Sequence, residues 1–293
     1  HYVNAAIFAN VKLPYRIRYN VSFNYARSSS EHKYYGKTCN AFSFSKNDWA
    51  YRYEDLTKLA LTQTDKGTYR WTFQNNFAWD YTFAEKHDLT ALVGFEAMYS
   101  NSSNLTAKKT GFAQDKLVEF DTATTVTSID GTQTDFATAS FFGRLTYAYD
   151  NRYLFETNLR YDGSSRFARK SRWGLFPSVS AGWRISQEAF MRNVRWIDEL
   201  KLRASWGQLG NEKIWSSYAG IDILSIGSCN YIWENQQVTG AATSYIADKS
   251  LTWETTTQYN IGLDLRLFGS LTFTGDFYVK ETDNILMLSL IHI

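Results

Sequence analysis

Residues 153–165, YLFETNLRYDGSS, decide how this chain is read. Tyr153, Phe155, Thr157, Leu159 and Tyr161 share one register, while Glu156, Asn158, Arg160 and Asp162 share the other. A period of two marks a strand with chemically opposed faces. In a soluble protein the apolar face meets a core and the polar face meets water. In an outer-membrane barrel the apolar face meets lipid and the polar face a wet lumen. One strand alone does not choose between the two.

The pattern recurs along the chain. Alternating segments lie at 15–25, 69–81, 89–99, 141–149, 153–162, 179–185, 200–206, 259–267 and 271–280, with a weaker one from Tyr2 to Val11. Most are near the roughly 9–11 residues that a tilted strand needs to cross a bilayer. Short links (12–14, 84–88, 150–152, 268–270) are separated by long ones at about 28–67, 101–138, 163–173 and 210–252. Tight turns on one side and long loops on the other fit a bacterial outer-membrane barrel, with the long loops extracellular. A β-sandwich distributes its loops less systematically. The link 186–199 is expected to hold a helical turn with Ser186 as N-cap.

The apolar registers are nearly free of charge. Tyr15, Ile17, Tyr19, Val21, Phe23 and Tyr25 oppose Arg16, Arg18, Asn20, Ser22 and Asn24. Tyr69, Trp71, Phe73, Phe77, Trp79 and Tyr81 oppose Arg70, Thr72, Gln74, Asn76 and Asp80. Charge is costly on a lipid face and in a soluble core alike, so purity alone decides nothing. Tyr and Trp at both ends of these registers do discriminate, because rings with a polar tip collect at the two membrane interfaces.

Composition agrees. Of 293 residues, 20 are Tyr, 20 Phe and 10 Trp but only 2 are Pro, which points to a mostly β chain. No run approaches the roughly 18 apolar residues of a membrane helix. A mean hydropathy of −0.38 does not argue against a barrel, whose alternating strands average out. The net charge of +2 gives no reason to expect nucleic acid. The chain begins at His1 with no initiator Met and closes on LSLIHI directly after a strand-like segment, so an internal piece of a longer protein is expected. Cys39 and Cys229 could pair only if the fold brings them within bonding reach.

LRYDGSSRFARKSRWGLFPSVSAGWRIS (159–186), ELKLRASWGQLGNEKI (199–214), LTWETTTQYNIGLDLRLF (251–268) and FYVKETDNIL (277–286), in that order, resemble the TonB-dependent outer-membrane receptors of the SusC/RagA type. The resemblance is close in the second half and rests on strand pattern in the first. It implies an all-β transmembrane antiparallel barrel of about 22 strands, of which 1–293 would supply about 10, with the plug domain absent. It also implies a SusD-like surface lipoprotein as lid, a TonB-ExbB-ExbD complex engaged through the missing N-terminal region, and a cell outer membrane of the Bacteroidota. The cargo it implies is an oligosaccharide or, in some members, a peptide. A siderophore- or cobalamin-type TonB-dependent receptor and a soluble secreted β-rich binding protein stay open as alternatives.

No catalytic grouping stands out: the four histidines are scattered, and neither H-E-x-x-H nor paired CxxC occurs, so neither an enzyme nor a cofactor is expected. Asp162, Ser164 and Ser165 are too poor an oxygen set for Ca²⁺, so no metal site is expected. Asp162-Gly163 reads instead as the point where a strand leaves the membrane and turns, and Pro177 as a strand start or bulge near that rim. Arg16, Arg18, Arg70, Glu96, Arg144, Glu156, Arg160, Arg203, Asp264 and Arg266 are expected to face the lumen, chiefly as cross-strand ion pairs. In the long loops Trp49, Tyr53, Trp215, Tyr218, Tyr231 and Trp233 are the candidates for contact with substrate or lid, since exposed rings stack on sugars or join interfaces, whereas many rings merely pack their own loop.

Overall fold

The computed structural model describes residues 1–36, 40–52, 59–112, 118–214, 216–234 and 236–286. The strands are β1 (Tyr2–Lys12), β2 (Ile17–Tyr35), β3 (Asn40–Ser43), β4 (Asp48–Arg52), β5 (Ala60–Phe83), β6 (His87–Phe112) and β7 (Ala123–Tyr149). They continue with β8 (Tyr153–Ser164), β9 (Trp173–Arg184), β10 (Ile197–Asn211), β11 (Ile223–Trp233), β12 (Gln236–Tyr245), β13 (Glu254–Leu267) and β14 (Leu271–Asp283). Ten pair in one sheet, in the order β1-β2-β5-β6-β7-β8-β9-β10-β13-β14, while β3-β4 and β11-β12 form separate two-stranded sheets. Among the described residues β1 and β14 are the edges of the large sheet. The expected ten-strand antiparallel wall is therefore what the chain builds.

The short links are tight turns whose residues sit in pairs in the left-handed region. Ala84 and Glu85, Asp150 and Asn151, and Phe268 and Gly269 all have φ between 49° and 70°. Two adjacent left-handed residues give the turn whose twist matches a two-stranded hairpin. In the first link Tyr15 and Arg16 are likewise left-handed, at φ 61° and 64°. Those two residues were expected to open β2, and instead they form the turn before it.

The expected long loops are shorter than the sequence suggests. β2 runs to Tyr35, β5 starts at Ala60, β6 runs to Phe112 and β7 starts at Ala123. With 24, 26 and 27 residues, β5, β6 and β7 far exceed the roughly 9–11 that a span requires. Between 186 and 199 the chain makes two 3-10 turns, Ile185–Gln187 and Ala189–Met191; Ser186 lies inside the first and caps nothing. β8 extends to Ser164, past the expected turn at Asp162-Gly163. Pro177 lies within β9, one residue outside the β9–β10 ladder that begins at Ser178, where a residue without an N–H is tolerated.

Two compact units divide the chain. The first comprises His1–Ala5, Asn24–Trp71 and Ser100–Asp135. Its small core is Leu61, Phe112 and Ala123, against which Tyr35, Val118 and Phe120 pack. Its strands are joined by hydroxyl contacts, Thr64 to Thr106 and Thr68 to Ser102 at 3.2 Å each and Thr110 to Thr127 at 3.3 Å. Asn101 donates to Asp135 at 2.6 Å. Such pairs suit water rather than hydrocarbon.

The second unit, Ala6–Phe23, Thr72–Tyr99 and Phe136–Ile293, carries the two-faced strands. Register makes the faces explicit. Phe155 pairs with Ala181, Ala181 with Ala204, Ala204 with Ile261 and Ile261 with Phe277, an apolar row across five strands. One residue away, Glu156 pairs with Ser180, Ser180 with Ser205 and Ser205 with Asn260. Phe155 and Leu159 are exposed and belong to the apolar face, as YLFETNLRYDGSS predicts.

Candidate functional site

The polar face of the second unit is tied by charge. Arg18 pairs with Asp80, Arg144 with Glu156 at 2.6 Å, and Arg160 with Asp162 two residues along the same strand at 3.1 Å. Arg203 Nε donates to Asp264 at 2.9 Å and its Nη2 reaches Asp276 at 3.2 Å, so one guanidinium bridges three strands. It can do so because Gly182 and Gly262 flank it in register. A Cβ at Gly262 would stand 2.6 Å from Asp276 Oδ1 and 2.7 Å from Arg203 Cζ. Asn20 adds a neutral link to Asn76 at 2.8 Å.

The other expected lumen residues differ in setting. Arg266 donates to the Gly269 carbonyl at the β13–β14 turn, 3.1 Å away. Arg16 sits in the β1–β2 turn with its guanidinium over the Tyr81 ring, a residue of the opposite register, and beside Arg18 and Asp80 of the polar row. Glu96 is half-buried on β6, and Arg70 is exposed in the first unit.

On the apolar side, rings gather near the tight turns. Trp79 stacks on Tyr81, Tyr81 on Phe83, Phe83 on His87, Tyr149 on Tyr153 and Tyr153 on Trp183, with centroids 4.5 to 6.5 Å apart. Towards the opposite strand ends Tyr161 stacks on Trp173 at 4.8 Å, and Phe141 lies 6.2 Å from the same indole. These are the expected girdles. Sequence reasoning missed what fixes the first: Glu188, in the turn between β9 and β10, accepts from Tyr153 Oη at 2.7 Å and from Trp183 Nε1 at 3.0 Å. Those two hydrogen bonds, followed by the charge of Arg152, hold its carboxyl below the ordinary glutamate value. No periodicity points to a carboxylate in a turn.

At the far ends of β9 and β13 the polar face carries a ring cluster. Phe176, opposite Arg160 in the β8–β9 register, packs with Phe167 and Trp253, and all three are buried. Trp253 Nε1 donates to the Arg172 carbonyl at 3.1 Å. A Cβ at Gly210 would come within 2.1 Å of the Phe176 ring, so only glycine admits that ring. Ile214 and Leu251, on either side of the β11–β12 segment, pack on the cluster, and hydrogen bonds close the base of that segment. Gly220 N donates to the Arg166 carbonyl at 3.2 Å, Tyr245 Oη to the Ala219 carbonyl at 3.2 Å, and Ala247 N to Asp222 at 2.8 Å.

Of the six loop rings, Trp233 ends β11 and is 71% exposed, whereas Tyr218 is half-buried with its N–H bound to Ser216 Oγ at 3.1 Å. Trp49 and Tyr231 occupy strand positions opposite Phe42 and Val238. Tyr53 and Trp215 lie outside the described residues, as does Cys39 and with it the pairing to Cys229. Among the described residues no group of His, Cys, Asp and Glu is arranged to hold a metal.

Comparison with known proteins accounts for this geometry. The family described as TonB dependent receptor-like, beta-barrel matches residues 5–291. TonB-dependent receptor P39 of Formosa agariphila is 37% identical over 219 residues, covering 73% of this chain and 20% of that protein. TonB-dependent receptor SusC of Bacteroides thetaiotaomicron is 39% identical over 165 residues, covering 53% of this chain and 16% of SusC. The RagAB peptide importer in its closed-closed state superposes with a TM-score of 0.83 at 24% identity, over 96% of this chain and 30% of that one. The chain thus spans about a fifth of these curated relatives. A two-faced wall, aromatic girdles, tight turns on one side and a family match along nearly the whole sequence belong together: the chain is part of the outer-membrane β-barrel of a TonB-dependent receptor of the SusC/RagA type.

Proposed function

We propose that the receptor containing this segment is an active importer of the outer membrane, driven through a TonB-ExbB-ExbD complex. Its cargo is an oligosaccharide, and a SusD-like lipoprotein lid covers the barrel. The observation that carries this reading is the 39% identity to SusC, together with the order of barrel motifs. The polar face supports it, because ion pairs there are satisfied within the wall and leave a wetted surface that cargo can pass. Trp49, Tyr53, Trp215, Tyr218, Tyr231 and Trp233 are proposed as contacts for cargo or lid, with exposed Trp233 the strongest. The expected lumen residues keep their proposed role of hydrating and bracing the wall, with Arg16 at its turn-side edge.

The test is uptake of labelled oligosaccharides by cells carrying the full-length receptor, with and without a functional TonB system. Import should vanish without TonB and fall severalfold when Trp49, Trp215 and Trp233 are all changed to Ala. Uptake that persists without TonB would sink the reading, and unchanged uptake in the triple variant would remove the rings from it. A peptide cargo is the second reading, favoured by the architecture shared with RagAB, and a peptide arm in the same assay separates the two.

A further inference from the structure

The apolar face of the second unit is not level. Between β8 and β14 it holds a groove of about 380 Å³, and register explains its shape. Ala181 pairs with Ala204 across β9 and β10, so two methyl groups form the floor. Phe155 on β8 flanks them on one side, and Ile261 on β13 and Phe277 on β14 flank them on the other. Phe155 and Ile261 stand three strand spacings apart, roughly 14 Å. In the next row Trp206 pairs with Val179 and with Tyr259, and all three line the same groove. This side of a barrel wall looks away from the lumen, so whatever fills the lumen leaves it facing the membrane.

The groove has a definite depth. Phe155 lies two residues from Tyr153 and Ala181 two from Trp183, the stacked rings of the turn-side girdle, which sets the floor roughly 7 Å inside that interface. Tight turns mark the periplasmic side, so the groove lies in the leaflet whose headgroups face the periplasm. The link from β9 to β10 crosses the wall on that side. Glu188 ties the start of the link to Tyr153 and Trp183. Trp196 ties its end to the β13–β14 turn, stacking on Phe268 at 6.3 Å and accepting the Phe268 N–H at 3.1 Å. The link thus runs from the β8 side of the groove to the β14 side. Between those anchors Phe190, Arg192 and Arg195 are exposed. The carboxylates of the link are engaged elsewhere: Glu188 also takes Arg152 at 3.5 Å, Asp198 accepts from Gly269 N at 2.6 Å, and Glu199 stands opposite Arg266. Among the described residues Arg192 and Arg195 form no ion pair.

A hydrocarbon chain gains little by leaving lipid for an apolar wall, because both surroundings are equally apolar. Residence therefore has to come from close packing on several sides and from a headgroup held at the interface. The groove supplies the first. The two arginines supply the second, and only for a negative headgroup.

We propose that the wall from β8 to β14 seats one anionic phospholipid of the periplasmic leaflet, with an acyl chain on Ala181 and Ala204 and the phosphate at Arg192 and Arg195. Continuity with the lipid face and the charge of the link select this occupant. A zwitterionic lipid fills the groove equally well and gains less at the link.

The test folds the full-length receptor into vesicles of equal parts phosphatidylglycerol and phosphatidylcholine with matched chains, transfers it to detergent and weighs the retained lipid by native mass spectrometry. Wild type should retain phosphatidylglycerol over phosphatidylcholine by about fivefold or more. Arg192→Gln with Arg195→Gln should bring the two lipids close to parity. Ala181→Leu with Ala204→Leu, which fills the floor and keeps the face apolar, should lower retention of both severalfold. No retained lipid on wild type, or equal retention of the two, would overturn the proposal, as would a pattern left unchanged by either double variant. A wild-type dimer that falls apart when the floor is filled would also overturn it, by giving the groove to a second copy of the chain.

Discussion

The two faces of β8, β9, β10, β13 and β14 are made by the same backbone and obey different rules. On one face Phe155, Ala181, Ala204, Ile261 and Phe277 form a row whose requirement is collective: each side chain has only to be apolar, because lipid asks for nothing directional. On the other face Gly182, Arg203, Gly262 and Asp276 form a row in which each member presupposes its neighbours. The guanidinium needs the glycines for room, and the carboxylates need the guanidinium. The apolar face tolerates exchange of kind for kind, whereas the polar face is specified residue by residue.

The comparison breaks first where charge is put on the wrong side. Ile261→Arg, in the middle of β13, should destabilise the barrel by about 2–4 kcal/mol, read from denaturant titration of the full-length receptor folded into vesicles. Ile261→Leu should be nearly silent in the same titration. If the arginine variant titrates like wild type, the apolar face does not meet lipid.

The next effect tests whether the polar face is as specific as its geometry implies. Arg203→Ala leaves Asp264 and Asp276 facing each other without their cation. With the arginine side chain 32% exposed, solvent screening keeps the cost to about 1–2 kcal/mol. Arg160→Ala removes a pair on one strand, with the arginine 48% exposed, and should cost less than about 1 kcal/mol. Equal costs would mean that bridging three strands adds nothing to pairing along one.

The smallest effect concerns Glu188, whose carboxylate holds the rings of Tyr153 and Trp183 at the turn-side girdle. Because its folded value is depressed, its contribution is fully present at neutral pH, above the unfolded carboxylate value near 4. That contribution is lost as pH falls through the depressed value. The difference in thermal stability between wild type and Glu188→Gln should therefore shrink from pH 7 to pH 3. A difference that holds constant across that range would remove Glu188 as the anchor.

The sequence makes the wall legible because the wall is periodic. YLFETNLRYDGSS places Phe155 and Leu159 on one face and Glu156, Asn158 and Arg160 on the other, and the fold agrees. The outer parts of β6 and β7 are illegible by the same test. NSSNLTAKKTGF and ATTVTSIDGTQTDFA are rich in strand-forming Thr, yet both of their faces are polar, so alternation gives no signal and they read as loops. The polar face of β8 to β13 is half legible. Asn158 and Arg160 appear in the polar register, but Ser178, Ser205 and Gln258 join them only once three ladders fix which residues stand side by side. Glu188 is invisible because it serves rings on strands β8 and β9 from a turn with no period of its own.

The direct pairing of β10 with β13 has a consequence for how such a protein diversifies. The β11–β12 hairpin is inserted between two strands that already match residue for residue, from Leu200 opposite Leu265 to Asn211 opposite Glu254. Its length and sequence can drift, and even be exchanged wholesale, while the neighbours keep their partners and no side chain changes face. The ladder is the fixed frame, and the hairpin is a branch that the frame carries without depending on it.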